Sequence, residues 1–148
     1  ITSQSAIYHL LYFLGLLAMA SAARSALTAA GNIRVVYVTA PSKEVAVKIA
    51  KAVVERKVAA CVNIIPGVTS VYEWQGELHE DPEVVMIIKT REALVEDLHK
   101  VVMENHTYDV PAFVSLATDA VSFPYAQWLL EQTGGAKTDT SSGQHSET

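Results

Sequence analysis

The sequence predicts an α+β domain in which β-branched runs alternate with two amphipathic helical segments. Three observations support this prediction. Apolar residues recur at helical spacing in two segments, a Gln-Gly pair separates two extended runs, and a Pro-Gly pair interrupts the first of those runs. The chain of 148 residues is long enough for one such domain with additional segments at both ends.

The first strand and helix are the clearest elements. The run IRVVYVTA, Ile33–Ala40, is typical of a strand that is buried on both faces. Pro41 and Ser42 then open a helix in which Ser42 is the predicted N-cap. At about 100° per residue, one face of this helix is apolar and consists of Val45, Ile49, Ala52 and Val53.

A long hairpin is predicted next. The stretch Val58–Trp74 contains two extended runs separated by Pro66-Gly67. Because proline interrupts a β-ladder and is confined to edges and bulges, we interpret the stretch as one kinked strand. Gln75-Gly76 has the pattern of a tight hairpin turn, and Glu83–Thr90 is the returning strand.

The second half repeats the pattern. Thr90 is the predicted cap of a second amphipathic helix that ends near Asn105, and Pro111–Thr118 is the last long strand. Ser122 is predicted to cap a short C-terminal helix that Gly134 stops. The apolar stripe of the second helix comprises Leu94, Leu98, Val101 and Val102.

These elements give the order β-α-β-β-α-β with a short helix appended, which is the ferredoxin-like split βαβ sandwich. The merged hairpin is unusually long, since about 16 residues per strand at about 3.3 Å each is near 50 Å. Its strands are also apolar at both alternating sets of positions. Helices cover one face of such a sheet, so the other face needs a partner, and we predict an obligate oligomer.

The two ends differ from the domain in composition. Residues 1–23 lack Lys, Arg, Asp and Glu, and the apolar run Leu10–Ala23 ends in small residues, as in a secretory signal or membrane anchor. A Ser/Ala-rich leader before Arg24 also fits an organelle transit peptide. We therefore predict a leader over 1–31, a folded domain over 32–132 and a disordered polar tail over 133–148. A secretory or membrane-associated location is favoured, with membrane contact only through the leader. A mitochondrion or other organelle is the alternative, and a cytoplasmic location is expected if the leader is absent.

The composition and the motifs argue against several classes of protein. The net charge is −5 and the largest basic cluster is the pair Arg56-Lys57, which argues against nucleic-acid partners. One cysteine excludes an internal disulfide scaffold. No paired acid and base, metal triad or nucleophile motif stands out, so catalysis is not predicted.

Several segments, in this order, resemble the CutA family of divalent-cation tolerance proteins. They are ACVNIIPGVTSVYEWQGELHED (Ala60–Asp81), IIKT (Ile87–Thr90) and HTYDVPAF (His106–Phe113), and the resemblance covers Ile33–Gln132. It implies a ferredoxin-like fold packed as a tight homotrimer, with long hairpins that grip neighbouring subunits. One departure is Thr107, which stands where the family commonly has proline.

The resemblance also implies a function. Bacterial members are associated with tolerance to copper and other divalent metals, and animal members with copper binding and with the handling and membrane anchoring of acetylcholinesterase. The leading hypothesis is thus a trimeric copper-binding protein with no chemistry of its own. The alternatives are an interaction protein that assists acetylcholinesterase, and an enzyme that uses a cleft between subunits.

Candidate metal ligands are few. Cys61 is interpreted first as a small apolar residue of a strand, and second as a metal contact together with His106. His79, among acidic residues past the hairpin tip, is the alternative. Thiol and imidazole ligands favour copper over magnesium or calcium.

Two further groups of residues are predicted to act between subunits. Lys89, Tyr108 and Asp109 are placed around an inter-subunit cleft. The alternative is a simple helix-exit turn, in which His106 and Asp109 satisfy backbone groups. Tyr72 and Trp74 share one side of the hairpin and are predicted, with Trp128, to pack at the oligomer interface.

Overall fold

A computed structural model describes residues 4–134 of the chain. The predicted polar tail therefore lies outside the described residues, except at its first two positions. The elements, in chain order, are α1 (Gln4–Ser25), β1 (Leu27–Ala29), β2 (Ile33–Ala40), α2 (Lys43–Glu55), β3 (Cys61–Trp74), β4 (Glu77–Arg91), a 3₁₀ turn (Glu92–Leu94), α3 (Val95–Asn105), β5 (Phe113–Ala117), β6 (Ala120–Ser122) and α4 (Phe123–Thr133).

The main sheet has four antiparallel strands in the order β3-β4-β2-β5. In chain order, α2 follows β2, β3 and β4 form the hairpin, and α3 precedes β5. This is the predicted split βαβ arrangement. Strands β1 and β6 form a separate two-stranded sheet.

Helices α2 and α3 pack on one face of the main sheet. The core between them consists of alternate residues of the strands and the predicted apolar faces of both helices. The cap of α2 is also confirmed, since the Ser42 hydroxyl accepts a hydrogen bond from the Val45 amide at 3.3 Å. The fully buried members of this core include Val36, Val38, Ile49, Val53, Met86, Ile88, Leu98 and Val102.

The long hairpin forms as predicted, with its kink at Pro66-Gly67. The pairing passes from Ile65 opposite Val85 to Val68 opposite Glu83, so the bulge adds one residue to β3. Gly67 takes a φ of 80° there. At the tip, Gln75 and Gly76 have φ values of 51° and 82°, as a two-residue turn of type I′ requires.

The sheet face opposite α2 and α3 is apolar and lacks comparable cover. We call it the open face, and it consists of Val35, Tyr37, Cys61, Asn63, Ile65, Val85, Ile87, Lys89, Val114 and Leu116. Ile65, Val114 and Leu116 are 47%, 49% and 52% exposed. The prediction that the strands are apolar on both faces is therefore confirmed.

Thr90 was predicted to cap the second helix, and that prediction is wrong. Thr90 is a fully buried residue of β4, and its hydroxyl donates to the Val58 carbonyl at 2.7 Å. Pairing with β2 continues through Arg91, and α3 begins at Val95 with no side-chain cap on its N-terminus. Continued strand pairing thus overrides the local capping signal.

Strand β3 begins at Cys61, three residues later than predicted. After α2 the chain turns through Lys57, which has a φ of 62°. Val58 and Ala59 are then buried in the core, and the Ala60 amide donates to the Lys89 carbonyl at 2.9 Å. The apolar run at Val58 therefore fills the core below the sheet before the ladder begins.

The predicted leader region contains two elements. Most of it forms α1, whose described side chains include exposed Leu, Tyr, Phe and Met residues. Within residues 4–134, no helix combines the length and hydropathy that a membrane crossing requires. The last part of the predicted leader forms β1, which pairs with β6 from Leu27 opposite Ser122 to Ala29 opposite Ala120.

Replacing Thr90 with valine tests the buried hydroxyl. The variant keeps the side-chain volume but leaves the Val58 carbonyl without its donor, so we expect a loss of about 1–3 kcal/mol in the free energy of unfolding. Denaturant unfolding at fixed protein concentration measures the loss. Thr107→Val, at an exposed loop position, is the matched control and should change stability by less than about 0.5 kcal/mol. Equal effects in both variants would contradict a role for the Thr90 bond.

Candidate functional site

His106 lies directly after α3 and ties that helix to the sheet. Its ring Nε2 lies 2.7 Å from the Thr39 carbonyl, and its Nδ1 accepts a hydrogen bond from the Tyr108 amide at 3.0 Å. A carbonyl accepts only, so Nε2 carries the proton and donates to Thr39. Both ring nitrogens are therefore engaged within the chain, and a metal at either one would displace an existing hydrogen bond.

Cys61 is a half-buried free thiol at the start of β3. It pairs with Lys89 across the ladder, and both lie on the open face. The Lys89 ammonium donates to the side-chain carbonyl of Asn63 and lies 3.5 Å from the Ile87 carbonyl. Tyr125 of α4 is close by, and burial followed by the influence of Cys61 raises the pKa of its phenol.

The register separates Cys61 from His106. Lys89, the partner of Cys61, is opposite Val35, whereas the Thr39 carbonyl that holds His106 lies four residues farther along β2. Four residues of strand correspond to about 13 Å. Within residues 4–134, no cluster of three or more His, Cys, Asp or Glu side chains has the geometry to hold a metal ion.

The hairpin beyond β2 carries a second polar group. The Tyr72 hydroxyl donates to Asp81 Oδ2 at 2.6 Å, and its ring stacks on His79 with centroids 5.2 Å apart. This hydrogen bond, followed by desolvation, raises the pKa of Tyr72 to about 12. Trp74, on the same side of β3, is 50% exposed.

Tyr108 lies against the acidic end of this hairpin. Its pKa is raised first by burial and then by the carboxylates of Glu83 and Asp81, so the phenol is near both acids. Asp109 is exposed at the next position. Of the predicted cleft residues, Tyr108 thus joins Tyr72 and Asp81, whereas Lys89 lies with Cys61 at the other end of the open face.

Glu83 is a functional candidate that the sequence interpretation missed. It is only 8% exposed, and its Oε2 is buried with no hydrogen-bond partner among the described residues. The sequence could have indicated it, because Glu83 lies on the same face of an apolar strand as Val85 and Ile87.

Comparison with known proteins assigns the family. The model of the CutA1 divalent ion tolerance protein family matches residues 34–132, which include the main sheet almost entirely, α2, α3 and nearly all of α4. The chain belongs to the CutA1 family. The match begins after α1 and β1, so neither element is part of it.

Individual CutA relatives come from distant organisms. Protein CutA of Homo sapiens is 46% identical over 103 residues, which make up 70% of this chain and 58% of the human one. The chain thus spans little more than half of that relative. The divalent-cation tolerance protein CutA of Thermus thermophilus is 48% identical over 100 residues, covering 68% of this chain and 97% of its own.

Solved CutA structures share the fold. The structure of the Thermus thermophilus protein superposes with a TM-score of 0.67 at 47% identity, over 69% of this chain and 99% of that one. CutA1 from Oryza sativa gives a TM-score of 0.68 at 42% identity, over 72% of this chain and 97% of that one. The ferredoxin-like fold predicted from the sequence is therefore confirmed.

The Tyr72–Asp81 contact predicts a titration. A phenol normally ionises near pH 10, and the phenolate of Tyr72 would lose its hydrogen bond and face a carboxylate. Absorbance titration should therefore show one tyrosine ionising near pH 12, which Tyr72→Phe removes. The stability that this contact provides is fully present below about pH 10 and is lost as the pH rises through about 12.

Asp81→Asn should move the titration of Tyr72 back toward that of an ordinary phenol, because the negative charge is gone. Asp119→Asn, at an exposed position, is the matched control and should leave the titration unchanged. If Asp81→Asn has no effect, the carboxylate does not set the Tyr72 pKa.

Proposed function

We propose that this CutA1-family protein is a homotrimer that binds copper at the open face, in the service of metal-ion tolerance. The observation that carries the proposal is a soft, half-buried thiol, Cys61, on an apolar face that the described helices α2 and α3 do not cover. Membership of the CutA1 divalent ion tolerance family supports the role of a metal ion.

Two features of the chain support an oligomer. Exposed aliphatic residues of the open face would be buried by a second copy, and burial of apolar surface contributes about 25 cal/mol per Å². The hairpin also continues for seven residue pairs beyond the last pair that β4 makes with β2. Its edges there have no strand partner among the described residues. Tyr72, Trp74 and Trp128 are exposed aromatic residues suited to such an interface.

Residues 4–134 of one chain do not supply a complete copper site. Cys61 and His106 are separated by the register, and His106 already holds Thr39 and Tyr108. His79 is likewise engaged, by stacking on Tyr72. A site with more than one soft ligand therefore needs side chains from several copies, and the affinity of any site within one chain should be modest.

The assembly is tested first. Sedimentation at low micromolar concentration should show a single species of three chains. Trp74→Asp should dissociate it, because the substitution places an unpaired charge in the contact. Lys51→Asp, on the exposed side of α2, is the control and should remain trimeric. A stable soluble monomer in the unmodified protein would refute the proposed assembly.

Copper binding is tested separately on the purified trimer. Titration under reducing conditions should show binding that weakens below about pH 6, where imidazoles take up protons. The double variant Cys61→Ser with His106→Ala should remove binding without dissociating the trimer. The two single variants show which ligand matters, and Cys61→Ser should have the larger effect because His106 is already hydrogen-bonded.

Unchanged binding in the double variant would overturn this choice of ligands. His79→Ala would then test the hairpin as the alternative site. Addition of the metal to Lys51→Asp serves as the control for a general effect of surface charge on binding.

A further inference from the structure

Glu83 carries a buried carboxylate oxygen that lacks a hydrogen-bond partner among residues 4–134. No donor among the described residues reaches its Oε2, which is closed off from solvent, and the residue is 8% exposed. Its charged neighbour Asp81 and the phenol of Tyr108 do not relieve this, since one is an acid and the other makes no hydrogen bond to it. Buried carboxylates in folded proteins are paired or hydrogen-bonded, because an unpaired one is strongly destabilising.

The basic residues in the described part of the chain do not provide that partner. Several are paired elsewhere: Arg34 with Glu92 at 2.9 Å, Arg56 with Glu104 at 2.6 Å, and Lys100 with Asp97 at 3.5 Å. Two basic residues of β4, Lys89 and Arg91, lie on the same face of the strand as Glu83. Arg91 is bound to Thr133 and Leu130 of α4, which leaves Lys89.

Lys89 cannot reach Glu83 within one chain. The two residues are six positions apart on β4, which corresponds to about 20 Å along the strand. Both lie on the open face, Glu83 at the acidic end near Asp81 and Lys89 at the end near Cys61. Asn63 and the Ile87 carbonyl use at most two of the three ammonium donors of Lys89, so one is left for a further acceptor.

We propose that Glu83 of one copy pairs with Lys89 of the neighbouring copy when the open faces are covered, through Oε1, the carboxylate oxygen that its own chain does not close off. This inference rests on the homotrimer proposed above and specifies one of its contacts. A head-to-tail contact of this kind is heterologous, and repetition around a closed ring gives each copy one Glu83–Lys89 pair on either side. Ile87, which lies between the two ends and is half-buried in the single chain, would be buried further in the same contact.

Charge reversal tests the pair. Glu83→Lys places two lysines opposite each other and Lys89→Glu two glutamates, so each single variant should raise the subunit dissociation constant on the order of a hundredfold or more. The double variant Glu83→Lys with Lys89→Glu restores opposite charges and should return the dissociation constant to within about tenfold of the unmodified protein. Analytical ultracentrifugation over a dilution series measures all four proteins, and circular dichroism confirms that each is folded.

Chemical cross-linking tests the geometry independently. In a Cys61→Ser background, which removes the thiol opposite residue 89, Glu83→Cys with Lys89→Cys should give covalent trimers with a short bis-maleimide. Within one chain the two thiols would be about 20 Å apart, beyond the reach of that reagent. Glu80→Cys with Lys89→Cys is the matched control, because Glu80 occupies the opposite face of β4 and should not cross-link.

The outcomes separate this inference from the proposed assembly. If the unmodified protein is not trimeric, the assembly itself is refuted. If it is trimeric but the effects of the two reversals simply add, and the 83/89 cysteines cross-link no better than the 80/89 pair, the trimer stands and the Glu83–Lys89 contact is wrong. Rescue by the double reversal together with selective cross-linking establishes the contact.

Discussion

The antiparallel pairing of β3 with β4 is the constraint on which the rest of the structure depends. Strand β4 keeps one unbroken alternation from Glu77 to Arg91, so that in its inner half Val84, Met86 and Ile88 enter the core while Val85, Ile87 and Lys89 line the open face. The extra residue at Pro66-Gly67 shifts the alternation of β3 by one, which keeps Tyr72 on the same side as Asp81. A bulge-free hairpin would place these two side chains on opposite faces.

This register divides the sheet into two apolar faces with different partners. One face is covered by α2 and α3 and is close-packed, with Val36, Met86 and Ile88 fully buried. The other carries exposed aliphatic residues and ends in polar groups, with acids near Tyr108 and Lys89 near Cys61. The hydration of these exposed apolar side chains is unfavourable in free energy, and a covering copy would remove them from water.

The same strand register sets the separation of the candidate metal ligands Cys61 and His106 in this CutA1-family protein. The His106 imidazole links the end of α3 to Thr39, which makes it part of the scaffold that positions the loop at Tyr108. Cys61 lies toward the other end of β2, next to Lys89 and near Tyr125. A soft ligand set drawn from one chain would require the His106 loop to move, whereas symmetry-related thiols would not.

The sequence by itself determined those features that depend on neighbouring residues. Periodicity gave α2 and the strands, Ser42 gave the N-cap, Gln75-Gly76 gave the turn and Pro66-Gly67 gave the bulge, because each acts through local backbone preferences. The apolar character of both sheet faces was also legible in the strand pattern.

Only the tertiary structure decided the features that depend on distant partners. Thr90 stays in the strand because β4 pairs with β2 through Arg91, and its hydroxyl meets a carbonyl 32 positions away. His106 is engaged by the carbonyl of Thr39, 67 positions away. Glu83 is buried and lies near the phenol of Tyr108, which belongs to the loop after α3. Local propensity carries no information about such contacts, since they form only when the sheet register brings remote segments together.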